Sequence, residues 1–265
     1  MNKPELTLIW EQDFNEPSGS LPDPKFWNFN IGDGSEYGIP GWGNEEREFY
    51  TDKNVTTDGE GNLVISADRI PEAERPDAYY GKAEWSSAKL TTLGKVHFRY
   101  GRFESRLKLP SGLGTWPALW MLGTDIETVP WPQCGEIDIV ESRGDQPTSV
   151  YGTLHGPGYF GDNGKGLVYE APNQLFDEYH EFAIEWLPNE IRWFYDGVMY
   201  HKNTASEIAP LEWVYNHDFY LFTNLSMGGN FTGAIDPALN HAELSIDYIR
   251  VYSIDGVGEV KQITA

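Results

Sequence analysis

Polar and apolar residues alternate in several short stretches of the chain. Residues 102–109 (RFESRLKL) alternate throughout, as a strand does when one face is buried and the other meets solvent. The same period of two recurs in residues 6–10, 62–66, 180–187 and 243–252. The pattern therefore predicts a protein built mainly from β-strands.

Turn signals separate these stretches. Residues 191–195 and 198–200 are rich in aromatic and β-branched side chains, and Asp196-Gly197 lies between them, which predicts a tight hairpin. Leu187-Pro188-Asn189-Glu190 predicts another turn just before it. Helical periodicity is nearly absent, and only residues 172–181 suggest a short turn of helix.

Many short strands joined by turns favour two packed antiparallel sheets. The 265 residues suit one all-β domain, and the 28 glycines and 17 prolines are spread along the chain without forming a linker. No internal repeat or low-complexity tract occurs. We therefore expect one domain that spans residues 1–265.

Aromatic residues make up 14% of the chain, more than a core alone requires. Tryptophan and tyrosine rings on a concave sheet face would match the apolar faces of sugar rings. The net charge of −22 repels nucleic acid, anionic membranes and sulfated polymers, but it does not repel a neutral polymer.

Cys134 is the single cysteine, so the chain forms no internal disulfide, and this residue is expected to be a small buried hydrophobe. No apolar run reaches the ~18 residues of a membrane span. Residues 1–6 lack the apolar core of a signal peptide, so either the protein is cytoplasmic or its signal is missing from this chain. Of these two we expect an extracellular protein, and we expect a monomer.

The segment 135–142 (GEIDIVES) carries the sharpest chemical signal. Its β-branched residues indicate a strand, and alternation places Glu136 and Asp138 on one face. Strict alternation would send Glu141 into the core, where an unpaired carboxylate is costly. One extra residue at Ile139-Val140, a β-bulge, would return Glu141 to the face of the other two acids.

Two carboxyl groups on one face can cleave a glycosidic bond. A retaining mechanism needs them about 5–5.5 Å apart, with one attacking the anomeric carbon and the other protonating the leaving oxygen. Glu136 is the candidate nucleophile and Glu141 the candidate acid/base, whose pKa must be raised. Asp138 lies between them and is expected to hydrogen-bond Glu136. A metal site or a solvated acidic edge are the alternatives that this segment leaves open.

The motif resembles the E-x-D-x-x-E signature of glycoside hydrolase family 16, in the form found in its laminarinase (endo-β-1,3-glucanase) branch. Other segments resemble the family in the expected order from Leu6 to Tyr252. They are residues 41–46 (GWGNEE), 100–104 (YGRFE), 114–122 (GTWPALWML), 155–156 (HG) and 246–252 (IDYIRVY).

The resemblance implies a jelly-roll sandwich of two curved antiparallel sheets, similar to concanavalin A, with an open cleft on the concave side. It also implies retaining hydrolysis without a catalytic cofactor and a β-glucan as substrate. The matched positions place Asn44, Trp116, Trp120 and His155 in the cleft. Trp120 would form a platform beneath the sugar, and His155 would bond near the carboxylates.

Many members of the family bind a structural calcium ion on the convex face. The matching positions are Asp13, Gly61 and Asp247, and Ca²⁺ prefers such carboxylate and carbonyl oxygens. Two loops depart from the family. Arg47-Glu48-Phe49 stands where laminarinases often have Leu-Gln-Tyr, and Phe231 follows Gly228-Gly229-Asn230 where they often have tryptophan.

The predicted function is therefore endo-acting, retaining hydrolysis of internal β-1,3-glucosidic bonds in laminarin-type glucans. The alternatives are a mixed-linkage β-1,3-1,4-glucanase or an agarase of the same family, a transglycosylase, and a non-catalytic β-glucan-binding protein. The last is disfavoured because both motif glutamates are present.

Overall fold

The computed structural model describes residues 3–263, so Met1 and Asn2 of the N-terminal segment considered above lie outside the described residues. Two large sheets make up most of the fold, and a separate two-stranded ribbon is formed by β6 and β7. The strands are β1 Leu6–Gln12, β2 Asn28–Asn30, β3 Glu48–Tyr50, β4 Val55–Thr57, β5 Leu63–Arg69, β6 Asp77–Ala78, β7 Gly81–Lys82, β8 Trp85–Ser87, β9 Lys89–Thr91, β10 Val96–Arg99, β11 Gly101–Lys108, β12 Thr115–Gly123, β13 Glu136–Glu141, β14 Ser149–His155, β15 Lys165–Glu170, β16 His180–Leu187, β17 Glu190–Tyr195, β18 Val198–Thr204, β19 Phe219–Met227, β20 His241–Ile254 and β21 Glu259–Gln262.

Helices in the described part of the chain are short. The two α-helices are α1 Ala205–Ile208 and α2 Gly229–Thr232, and the 3-10 turns are Ser35–Tyr37, Pro40–Gly43, Glu72–Glu74 and Gly161–Asn163. No helix between residues 3 and 263 is long and apolar enough to cross a membrane.

Non-consecutive strands lie side by side in both sheets. The first sheet runs in the order β18-β17-β16-β11-β20-β5-β8-β3, with β1 on β20 and β4 on β5. The second runs β15-β14-β13-β12-β19-β10-β21, with β9 on β19 and β2 on β9. Because β12, β13 and β14 are adjacent and antiparallel, the acidic motif lies in the interior of the second sheet.

The core lies between the facing sides of the two sheets. The first sheet contributes Phe103, Ile184 and Trp193, and the second contributes Leu119 and Ile137, all of them buried in one continuous cluster. Each large apolar side chain buried there stabilises the fold by about 1.5–3 kcal/mol. The other face of the second sheet carries partly exposed tryptophans, and it is the face that forms the site described below.

The strands predicted by alternation are confirmed, and residues 180–187 coincide with β16. The Asp196-Gly197 hairpin is also confirmed, since Tyr195 pairs with Val198 and both turn residues have positive φ. Cys134 is buried, as predicted. The predicted helical turn in residues 172–181 is wrong. The Leu175 amide there bonds the Pro147 carbonyl instead of its own segment.

Candidate active site

A β-bulge in β13 brings the motif acids to one face. Trp120 of β12 pairs with Asp138 and Leu119 with Val140, so Ile139 is the extra residue, and the β13–β14 register shifts at the same place. Ile139 and Val140 are both buried in the core, whereas Glu141 is partly exposed on the opposite side. The predicted bulge is therefore confirmed.

Trp116 and Trp120 are the two partly exposed residues of β12, four positions apart, so they share the face of the motif acids. The Trp116 indole Nε1 donates a hydrogen bond to Oε1 of Glu141 at 2.8 Å. The Trp120 Nε1 donates to Oδ1 of Asn224 at 2.7 Å, and its ring stacks on Phe222 at a centroid distance of 4.3 Å. Both tryptophans thus border the acidic cluster, as expected.

His155 lies on β14, directly opposite Glu136. Its Nε2 is 3.1 Å from Oδ2 of Asp138, which agrees with the prediction that it would bond near the carboxylates. The expected hydrogen bond between Asp138 and Glu136 is wrong for the described residues: Asp138 contacts His155 instead. The reason is that Asp138 is buried beneath the face, with its carboxyl group directed toward the neighbouring strand.

The partner of Glu136 is Trp131, which the sequence analysis did not single out. Trp131 lies in the loop between β12 and β13, and its Nε1 donates to Oε2 of Glu136 at 2.6 Å. A proline after Trp131 indicates only an ordinary turn. The usable clue is its position five residues before the first motif glutamate, which is close enough for the loop to fold back over the strand.

The protonation of Glu141 is tuned by its surroundings. Burial raises its pKa most, and the negative charges of Glu136 and Glu46 add to this effect. The nearby His155 and the hydrogen bond from Trp116 act in the opposite direction, and the resulting pKa is about 7. Glu141 can therefore hold a proton near neutral pH, which a general acid must do.

Asp138 and His155 also hold protons tightly. Burial raises the pKa of Asp138, and the charges of Glu136 and Glu141 raise it further. Burial opposes a charge on His155, but its hydrogen bond with Asp138 and the surrounding carboxylates raise its pKa to about 10. Because the raised pKa of His155 depends on the charge of Asp138, the two groups together hold a proton beneath the two glutamates.

Glu136, Asp138 and His155 each offer one atom within 4.8 Å of the others, so their spacing alone would suit a cation. A metal ion requires a neutral imidazole and ionised carboxyl groups. The proton that His155 and Asp138 hold between them would have to leave before a cation could bind. Acid–base chemistry needs no such loss.

Asn44 lies at the edge of a buried polar network. Its Nδ2 donates to Oε1 of Glu46 at 3.1 Å, and Oε2 of Glu46 accepts from Tyr50 and Ser226. Glu48 is one of the residues that depart from the family pattern. It is fully buried, and its Oε2 accepts a hydrogen bond from the Met227 amide at 2.6 Å. Burial and the neighbouring Glu46 raise the pKa of Glu48 well above its usual range.

Lys89 is a second residue that the sequence analysis missed. Its side chain is 6% exposed, and its Nζ lies 5.0 Å from the Trp120 ring centroid and 4.4 Å from that of Trp42. Burial lowers the pKa of Lys89, whereas the charges of Glu46, Glu48 and Glu136 raise it. An ammonium group behind the tryptophan platform balances the buried acids and anchors the rings by cation–π contact.

Phe231 fills the position of the other departure. It follows the Gly228-Gly229-Asn230 turn, and its ring lies 4.9 Å from Trp116 and 5.0 Å from Tyr151. The aromatic wall beside Glu141 is therefore retained, with a smaller ring at this place.

The three residues of the expected calcium site lie toward the same part of the first sheet. Gln12 pairs with Ile249 and Leu63 pairs with Ile246, which brings the neighbouring Asp13, Gly61 and Asp247 to the same region. A Cβ built on Gly61 would lie 3.8 Å from the Asp13 carbonyl oxygen. The Asp247 carboxylate accepts a hydrogen bond from Arg106 at 2.5 Å through Oδ2.

Comparison with known proteins agrees with this geometry. The sequence model described as "Glycosyl hydrolases family 16" matches residues 43–250. The chain belongs to glycosyl hydrolase family 16. Its sandwich is the jelly roll expected from the resemblance, and hydrolysis by this family needs no cofactor.

Proteins similar to this member of the family include enzymes acting on β-glucan. The beta-glucanase of Rhodothermus marinus is 38% identical, over 94% of this chain and 86% of that protein. The glucan endo-1,3-beta-glucosidase A1 of Niallia circulans is 37% identical, over 93% of this chain but only 38% of that protein. The laminarinase catalytic domain of Thermotoga maritima is a structural match with a TM-score of 0.88 and 44% identity, covering 94% of this chain and 98% of that domain.

Proposed function

We propose that this protein hydrolyses internal β-1,3-glucosidic bonds of laminarin-type glucans with retention of configuration. Glu136 is the nucleophile and Glu141 the general acid/base. The observation that carries the proposal is the bulge in β13, which turns Glu141 onto the face of Glu136 and leaves it with a pKa of about 7. The names of the similar enzymes support the choice of β-1,3-glucan.

The site residues fit the two steps of a retaining reaction. In the first step Glu141 gives its proton to the glycosidic oxygen while Glu136 attacks the anomeric carbon, which forms a covalent glycosyl-enzyme. In the second step the ionised Glu141 removes a proton from water, and this water releases the sugar from Glu136. Trp116 donates a hydrogen bond to Glu141 and stabilises the carboxylate between the two steps.

The groups beneath Glu136 keep it available as a nucleophile. His155 and Asp138 lie 3.1 Å apart and share a proton, so the pair places no uncompensated negative charge beside Glu136. Trp120, half-buried and stacked on Phe222, presents a flat apolar surface that suits the underside of a sugar ring. Asn44 is placed by Glu46 to offer polar atoms at the edge of the cleft.

A substrate panel tests the proposed linkage. We expect laminarin and curdlan to be cut to short oligosaccharides and to see much less product from lichenan, agarose or cellulose. Preferential cleavage of lichenan would favour the mixed-linkage alternative, and cleavage of agarose the agarase. Product patterns compared at high and low sugar concentrations separate hydrolysis from transglycosylation.

Two substitutions test the assigned roles. Glu136→Ala should abolish turnover of every glucan while leaving the melting temperature near that of the wild type. Glu141→Gln should slow laminarin cleavage far more than that of aryl glycosides with good leaving groups, because these need little protonation. Turnover by Glu136→Ala at the wild-type rate, or equal losses on both substrates for Glu141→Gln, would refute the respective role.

We propose in addition a structural calcium ion held by the carbonyl oxygens of Asp13 and Gly61 and by the Asp247 carboxylate. The convergence of the three positions supports it, and these oxygens are of the kind Ca²⁺ prefers. The guanidinium of Arg106 occupies only Oδ2 of Asp247, which leaves Oδ1 for a cation.

We further propose that the protein acts outside the cell and as a monomer. A polymeric glucan does not cross a membrane, so an enzyme that cuts it internally must meet it outside. The net charge of −22 disfavours self-association through mutual repulsion. Size-exclusion chromatography with light scattering would measure the oligomeric state, and a stable dimer would contradict the second part.

A further inference from the structure

Trp131 combines two properties that rarely occur together in a tryptophan. Its side chain is 42% exposed, although a large apolar ring is normally buried. Its one polar atom, Nε1, nevertheless makes a short hydrogen bond of 2.6 Å to Oε2 of Glu136. In the described part of the chain this is the single side-chain hydrogen bond made by Glu136.

The other tryptophans beside the cluster are placed differently. Trp116 and Trp120 belong to a central strand and are fixed by its backbone ladder. Trp131 belongs to a loop, and its ring meets Phe160, which follows β14, edge to face at a centroid distance of 5.4 Å. Phe160 is itself 44% exposed. Two loops thus place exposed aromatic rings at the rim of the cleft, on the side of Glu136.

We propose that Trp131 is a positioning residue for the nucleophile and that its exposed face, with Phe160, forms a platform for the sugar that enters beside Glu136. The inference rests on the function proposed above and adds to it the residues that orient and cover the attacking carboxylate. It accounts for both the exposure of the rings and the direction of the indole N–H.

The hydrogen bond matters because a free carboxylate can rotate. The bond from Trp131 holds Oε2 and leaves Oε1 of Glu136 free for the attack, so the group is aligned before the sugar arrives. Loss of this alignment should reduce the rate of attack by about ten- to a hundredfold. The apolar faces of Trp131 and Phe160 would be covered by the sugar, which places their contribution in binding.

Separate substitutions divide these two roles. Trp131→Phe keeps the apolar face but removes the N–H, and we expect kcat to fall about tenfold or more with KM nearly unchanged. The loss should be the same on laminarin and on an aryl β-laminaribioside with a good leaving group, because both require attack by Glu136. Phe160→Ala should raise KM for laminarin and leave kcat near the wild-type value.

Rescue and control variants exclude a general loss of packing. Trp131→His retains a ring N–H and should recover much of the kcat lost in Trp131→Phe. Trp213→Phe is a matched control, because the Trp213 indole bonds Asn216 rather than a cluster carboxylate, and it should leave both constants unchanged. Melting temperatures measured for all four variants show whether each remains folded.

Wild-type kcat in Trp131→Phe would overturn the positioning role, and an unchanged KM in Phe160→Ala would overturn the platform. A kcat loss confined to laminarin would also contradict the proposal, because it would place Trp131 with the acid/base. These results are distinguishable from failure of the proposed function, in which Glu136→Ala would remain active.

Discussion

The Trp116 indole and the Glu141 carboxylate form a hydrogen-bonded pair across two neighbouring strands, with 2.8 Å between Nε1 and Oε1. The pair exists because the bulge in β13 shifts Glu141 into register with Ala118, two residues from Trp116 on β12. Since the donor stabilises the ionised form of Glu141, it limits how far burial raises the pKa of this group.

Trp116→Phe should therefore move the basic limb of the pH profile of kcat/KM to higher pH. Loss of the donor disfavours the carboxylate, so the pKa of Glu141 rises above about 7 and the acid keeps its proton longer. We expect a shift of about one to two pH units, since a bond to a charged group contributes about 1.5–3 kcal/mol and one unit is about 1.4 kcal/mol. A shift to lower pH would contradict this account of the pair.

Glu48→Gln should stabilise the protein at alkaline pH without changing its stability at pH 4, below the ordinary pKa of a glutamate. Burial raises the pKa of Glu48, so its proton stabilises the folded state at low pH, and this stabilisation is lost as pH rises toward the folded pKa. Glutamine resembles the protonated acid and does not titrate. At pH 9 we expect a melting temperature at least about 3 °C above that of the wild type, equivalent to about 1 kcal/mol.

The matched control for this measurement is Glu45→Gln, because Glu45 is an exposed residue in the turn just before β3, which begins at Glu48. Its melting temperature should follow that of the wild type at both pH values. A Glu48→Gln variant less stable than the wild type at pH 9 would contradict the raised pKa of Glu48, because the folded state would then favour the ionised acid.

Trp120→Ala should lower kcat/KM for laminarin by about ten- to a hundredfold, because loss of an aromatic stacking surface costs about 1–3 kcal/mol. Asn224→Ala leaves the ring in place and removes only the bond to its Nε1, so its loss should be smaller. Steady-state kinetics on laminarin measure kcat/KM for both variants. An equal or larger loss in Asn224→Ala would indicate that the orientation of the ring matters more than its surface.

Removal of calcium with a chelator should lower the melting temperature if the proposed ion is bound. Calcium at a hundredfold excess over its dissociation constant stabilises by about 2.7 kcal/mol, or about 5–10 °C in a domain of this size. Asp247→Asn should reduce the response to added calcium, whereas Asp77→Asn, at an exposed acid paired with Lys82, should not. A melting temperature that does not change during a calcium titration would contradict the proposed calcium site.

The alternation of residues predicted β1, β5, β11, β16 and β20, because one buried face imposes a period of two whatever the rest of the fold. Residues 180–187 and the Asp196-Gly197 hairpin are examples in which local pattern and structure agree. The prediction of a helical turn in residues 172–181 was wrong because the Leu175 amide donates its hydrogen bond to the carbonyl of Pro147, a residue distant in sequence. Contacts of that kind leave no local periodicity.

The sequence by itself determined the all-β class, the resemblance to the family and the two motif glutamates, because these depend on short-range pattern and on residues close together in the chain. The need for a bulge also followed from the sequence, since an unpaired Glu141 could not remain in the core. Tertiary structure alone decided the partners of the acids. Trp131 hydrogen-bonds Glu136 because its loop folds back over β13, and His155 contacts Asp138 from the neighbouring strand β14. In the same way, Lys89 contacts the ring of Trp120. These pairings, and the pKa values that result from them, arise from burial and distance, which spacing along the chain does not encode.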